Sequence, residues 1–196
     1  MKICIYGAAS DKIDKEFIKL GESLGKTLAE RGHSLVYGAG SSGMMGAAAR
    51  GFHQGNGYVH GIIPKFFEEG GYEAIYYKAD KITYVEDMAD RKEMMEDTCD
   101  AFIICPGGIG TFDEFFQVLT LKQLGRHQKA IVVYNMNGYY DDMLAMMEKA
   151  IKMGFINEEC EKIYVDFDNE KQVVDYLESY DESDVNWSRL KRTNDQ

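Results

Sequence analysis

Residues 101–116 read AFIICPGGIGTFDEFF. An unbroken apolar run meets Pro106, then Gly107, Gly108 and Gly110, then Thr111, two carboxylates and the pair Phe115-Phe116. The run does not alternate with polar residues, as expected of a strand covered on both faces. Proline ends the ladder because it has no N–H to donate. Glycines let a backbone approach a ligand closely and turn successive N–H groups toward it. Asp113 and Glu114 fall where the positive end of a helix dipole favours acids. The stretch therefore reads as buried strand, donor-rich turn and helix start, the repeating unit of an α/β protein.

The same alternation extends in both directions. KICIYG (2–7), HSLVYG (33–38), YVHGIIP (58–64), KITYVE (81–86), AFIIC (101–105), KAIVVYN (129–135) and IYVDFD (163–168) read as strands. Helical periodicity covers 12–31, 44–54, 87–99, 111–125, 139–153 and 169–180, with Phe17, Leu20, Leu24 and Leu28 on one face of the first. Residues 65–80 read as irregular or partly helical. Strand and helix in this order predict a Rossmann-like, doubly wound parallel sheet in three α/β/α layers. A single nucleotide-binding domain is expected over 1–180. A polar acidic tail over 181–196 is expected to be frayed, with Trp187 placed to pin it to the body or to a partner chain.

Composition narrows the partners. Among 196 residues, 33 Asp and Glu outweigh 22 Lys and Arg, a formal net charge of -11. That balance disfavours nucleic acid or an anionic membrane as a partner. No segment is apolar for long enough to span a bilayer, and MKICIYGAAS is interrupted too soon for a secretory signal. Cys4, Cys99, Cys105 and Cys160 form no CxxC and read as free thiols of a reducing cytoplasm. His33, His53, His60 and His127 form no metal pattern, so no metal and no cofactor is expected.

Two strand-to-helix turns carry unusual chemistry, YGAGSSGMMGAAAR (37–50) and CPGGIGTFDE (105–114). A parallel sheet puts both on one edge, where they are expected to face a common pocket. Backbone donors and a helix N-terminus make an anion site, with phosphate the usual occupant. Gly38, Gly40 and Gly43 satisfy GxGxxG, but the following strand ends in Pro64-Lys65 where a dinucleotide site wants an acid. NAD(P) is therefore disfavoured, and no GxxxxGK[ST] supports an ATP-hydrolysing loop. Arg91 and Lys92 lie early in the helix after KITYVE; alone they read as a solvated face with pairs such as Asp87–Arg91. Cys105 ends a buried strand and reads as structural.

DMADRK (87–92), CPGGIGTFDE (105–114) and VLTLKQLGRHQK (118–129) together resemble the Lonely Guy (LOG) family of cytokinin riboside 5'-monophosphate phosphoribohydrolases. Many members once carried the label lysine decarboxylase. The resemblance covers roughly residues 1–153. It implies a homodimer that hydrolyses the N-glycosidic bond of a nucleoside 5'-monophosphate to free base and ribose 5-phosphate. It also implies Arg91 and Glu114 as the catalytic pair, and Gly107, Gly108, Gly110 and Thr111 as the phosphate cradle. Lys92, Asp113 and Thr120 match positions that line the substrate, and Ile109, Gly43 and Met88 complete the expected substrate set. Leu121, Ala130 and Ala39 depart from the family's common residues and leave the base open. The competing readings are a non-catalytic nucleotide carrier or sensor and an NAD-dependent oxidoreductase.

Overall fold

A computed structural model describes residues 1–71, 73–184 and 190. Its strands are β1 (Lys2–Tyr6), β2 (Ser34–Tyr37), β3 (Val59–Pro64), β4 (Lys81–Val85), β5 (Ala101–Ile104), β6 (Ala130–Tyr134) and β7 (Val165–Phe167). Between them run α1 (Lys15–Glu30), α2 (Gly43–Gln54), α3 (Lys65–Gly70), α4 (Met88–Thr98), α5 (Ile109–Gln123), α6 (Asp141–Lys152) and α7 (Glu170–Ser179). The strands form one parallel sheet in the order β4-β3-β2-β1-β5-β6-β7. The chain winds outward from β1 to β4, then crosses back to β5 and winds the other way. The reversal falls between β1 and β5, where open α/β sheets bind ligands beyond the strand ends.

The unalternating apolar runs explain the layering. β5 is buried on both faces: Ala101 and Ile103 belong to one core and Phe102 and Ile104 to the other. The first core joins α1, α2 and α7 through Leu24, Leu28, Phe52, Val174 and Leu177. The second joins α4, α5 and α6 through Met95, Phe115, Val118 and Met147. Each such apolar side chain contributes about 1.5–3 kcal/mol when buried, so the strands give the reversal point a rigid floor. The edge strands β4 and β7 are partly exposed.

Two boundaries differ from the sequence reading in ways that matter for the site. α5 begins at Ile109, two residues before the expected Thr111, so the Gly-rich turn itself forms the first helical turn. Residues 65–80 are not merely irregular. α3 buries no residue of its own, and beyond it the chain pairs antiparallel with the first glycine turn. Ser41 N–H donates to Ala74 O at 2.8 Å, Tyr76 N–H donates to Ala39 O at 2.8 Å, and Gly40 bridges Ile75. The expectation for Trp187 lies outside the described residues. Leu190, within the expected tail, is buried with the second core.

Candidate active site

The turns leaving β1 and β5 are tied together past the strand ends. Cys105 N–H donates to Tyr6 O at 2.8 Å, and Ala8 N–H donates to Pro106 O at 3.0 Å. A Cβ at Gly107 would overlap the Thr111 hydroxyl and crowd Ala8 N at 2.9 Å, so only glycine lets the three segments meet there. α5 then starts on Gly108 with no side-chain cap. The N–H groups of its first turn have no partner within the helix. A Cβ at Gly108 or at Gly110 would meet nothing within 4 Å.

That uncapped end opens on a cavity of about 360 Å³. Gly108, Gly110, Thr111, Asp113 and Glu114 line one side, and Gly7 to Ser10 line the floor. Met45, Phe67, Glu73, Met88 and Arg91 complete it. Larger clefts occur elsewhere on the surface, but this one lies at the reversal of strand order and joins an uncapped helix N-terminus to titratable groups.

Arg91 is the fourth residue of α4 and is buried. Its Nε donates to Ile62 O at 3.2 Å and its Nη2 to Gly38 O at 2.8 Å, the carbonyl ends of β3 and β2. The guanidinium also lies over the Phe67 ring, 5.5 Å from its centroid. Among the described residues it makes no ion pair, so its charge is available to the cavity.

Glu114 is half-buried on the second turn of α5. Burial pushes its carboxyl up to about 7, with Arg91 pulling the other way, Asp113 raising it further, Lys92 lowering it and Glu73 raising it. Lys92 pairs with Asp113 at 2.9 Å at the cavity's edge. Cys105 is buried and its thiol is pushed up to about 12, which keeps it protonated and unreactive.

The first glycine turn does something other than expected. Gly38 and Gly40 do not border the cavity. A Cβ at Gly38 would overlap Arg91 Nη2, and a Cβ at Gly40 would overlap Glu73 Oε1. The glycines give two site side chains room to lie against the strand ends. Gly43, at φ +57°, packs on Ala8 O and Ser10 O and supports the β1 turn from below. Gly107 lines an adjoining cleft with Phe17 and Tyr139. Ile109 points outward and is 82% exposed, so only its backbone belongs to the helix end. Thr120 is exposed and does not border the cavity; six residues beyond Glu114, at 1.5 Å per residue, it lies about 9 Å further along α5.

A family model described as "Possible lysine decarboxylase" matches residues 45–177. The cytokinin riboside 5'-monophosphate phosphoribohydrolase LOG7 of Arabidopsis thaliana is 37% identical over 180 residues, covering 92% of this chain and 82% of the relative. The phosphoribohydrolase LOG of Oryza sativa subsp. japonica is 36% identical over 91% of this chain and 73% of its own length. This chain belongs to the LOG family. The family-model match over residues 45–177 takes in every cavity residue except those of the β1 turn. In fold the chain is also similar to the molybdenum cofactor carrier protein from Chlamydomonas reinhardtii, with a TM-score of 0.67, 16% identity, and 90% and 95% of the two chains covered. The molybdenum cofactor binding protein from Rippkaea orientalis gives a TM-score of 0.66 at 18% identity, with 91% and 94% covered.

Gly7 to Ser10, Met45, Phe67 and Glu73 are the cavity residues that sequence reasoning missed. The available signal was Gly40, whose own backbone conformation does not call for glycine. The seat it shares with Gly38 yields a first expected result. Gly38→Ala forces the Arg91 guanidinium off Gly38 O and leaves a buried charge short of an acceptor. Such a loss costs about 1.5–3 kcal/mol, and thermal unfolding should fall by roughly 3–10 °C. An unchanged melting temperature would show that the guanidinium has another resting place.

Proposed function

We propose that the chain is a nucleoside 5'-monophosphate phosphoribohydrolase, hydrolysing the C1'–N bond to free base and ribose 5-phosphate. The observation that carries this is the opening of the uncapped α5 N-terminus onto the same cavity as Glu114 and Arg91. The N–H groups of Gly108 to Thr111, the Thr111 hydroxyl and the helix dipole hold the 5'-phosphate. Positive charge then builds on the ribose as the bond breaks. The Glu114 carboxylate stabilises that charge and takes a proton from the attacking water. Arg91 keeps Glu114 ionised, since it is the strongest influence opposing its burial. Met88 and Phe67 offer apolar surface to the base. The reading includes a homodimer in the cytoplasm, supported by family membership and by four unpaired cysteines. Among the described residues no helix is long and apolar enough to cross a membrane.

Incubation with AMP tests the reading: adenine and ribose 5-phosphate should appear in equal amounts. A carrier or sensor, the second reading suggested by the similarly folded cofactor carriers, would bind AMP and return it intact. A carrier needs the helix end but has no use for a half-buried carboxylate.

The pH dependence follows from Glu114. Its folded value of about 7 lies above the ordinary carboxylate range, and the ionised form is the working one. kcat/KM on AMP should therefore rise as pH passes through about 7, because that parameter reports the free enzyme. In Asp113→Asn the midpoint should move to lower pH, since a charge that raises Glu114 is removed. A flat profile between pH 5 and 8 would remove Glu114 from the base role.

A further inference from the structure

One group in the cavity has no part in the steps above. Among the described residues, Glu73 Oε1 is shut away from solvent and has no hydrogen-bond partner. Leaving a buried carboxylate oxygen unpaired is costly, so such groups call for an explanation. The obvious partner, Arg91, is committed to the carbonyls of Ile62 and Gly38. The placement is nevertheless built into the chain. Hydrogen bonds from Ser41 N–H to Ala74 O and from Tyr76 N–H to Ala39 O clamp the segment on both sides of Ile75, and Gly40 lacks a side chain where Oε1 lies.

Position along the sheet indicates what Glu73 meets. The phosphate-binding helix end follows β5, whereas Glu73 is fastened to the turn after β2, with β1 between them. Strands lie about 4.8 Å apart, so Glu73 lies about 10 Å across the cavity from the anchor. It shares that side with Met45, Phe67 and Met88. A nucleotide anchored by its phosphate and passing its sugar at Glu114 brings its base there. We infer that Glu73 is the general acid that protonates the departing base. This rests on the phosphoribohydrolase reading.

The chemistry balances. The C1'–N bond breaks with its electron pair going to the base, and a base nitrogen takes the proton of the Glu73 carboxyl. Water adds its oxygen to C1' and gives a proton to Glu114. The two glutamates then exchange that proton through solvent, and the sum is nucleotide plus water to base plus ribose 5-phosphate. The charged and titratable groups facing Glu73 are Arg91 of α4, Glu114 of α5 and Tyr37 of β2, whose hydroxyl is also buried without a partner. Burial raises the Glu73 carboxyl and Arg91 lowers it, with burial the larger effect, so it holds its proton to higher pH than an ordinary carboxyl does.

Glu73→Gln keeps the shape and removes the transferable proton. On AMP its kcat should fall by about 100-fold or more. On nicotinamide mononucleotide, whose pyridinium leaves as a neutral base without a proton, the variant and wild type should agree within about threefold. Equal losses on both substrates, or no loss on AMP, would overturn the assignment. If wild type does not turn over nicotinamide mononucleotide, the pH profile on AMP decides. Wild type should show an alkaline fall that Glu73→Gln lacks, and an identical fall in both would overturn it. The two failures are distinguishable: wild type that releases no adenine from AMP defeats the phosphoribohydrolase reading, whereas active wild type with an equally active Glu73→Gln defeats only the acid.

Discussion

Glu114→Gln should turn over AMP at about one-thousandth of the wild-type rate or less, while melting at the same temperature or a few degrees higher. The first half follows from the two tasks placed on one carboxylate. It stabilises the charge growing on C1' and takes the proton of water, and each such task is worth roughly 10²–10³ in rate. An amide fills the same space but can do neither. The second half follows from the direction of the Glu114 shift. A carboxyl raised to about 7 favours the neutral form in the folded protein. Its ionisation opposes folding progressively as pH rises from the unfolded value, near 4.3, through 7, and in full above that. A neutral amide escapes that cost, so stability at pH 7.5 should not fall. This pattern of lost activity with preserved stability marks a group kept for function. Residual activity above about one-tenth would move the base elsewhere in the cavity.

Adenosine should react at least about 10³-fold more slowly than AMP, compared by kcat/KM. The phosphate is remote from the bond that breaks, so its binding energy serves to position the ribose against Glu114. Hydrogen bonds to a charged group contribute about 1.5–3 kcal/mol each. Even two of the free N–H groups on the first turn of α5 therefore supply about 4 kcal/mol, which is nearly 10³ in rate. Inorganic phosphate should compete with AMP and have little effect on the slow reaction of adenosine. Comparable rates for the two substrates would mean that the helix end does not anchor the reacting molecule.

Much of this molecule can be read from its residues because the sheet is buried on both faces. AFII, AIVVY and SLVY leave no doubt about strands, and the PGGIGT turn between β5 and α5 advertises its donors. Arg91, one turn into α4, and Glu114, two turns into α5, were singled out in the sequence by a family resemblance and both border the cavity. What escaped is tertiary. Ala74 to Tyr76 follow no helical or strand period because the backbone of the 39–41 turn helps hold them in place. The visible GxGxxG pattern misleads for the same reason. Gly38 is glycine because of Arg91, a residue 53 positions later, and Gly40 because of Glu73. A glycine excluding its own side chain for a distant one looks, in one dimension, like a glycine making way for a ligand. Thr120 illustrates the converse, because a matched motif position need not reach a cavity that the helix has already passed.

The most direct measurement is a crystal structure of Glu114→Gln with AMP bound, a pair that should persist because turnover is blocked. The phosphate is expected within hydrogen-bond distance of the N–H groups at Gly108 to Thr111, with C1' against residue 114 and the base beside Glu73. A phosphate seated instead at the Gly38–Gly40 turn, or a ribose turned away from residue 114, would contradict the arrangement on which the chemistry depends.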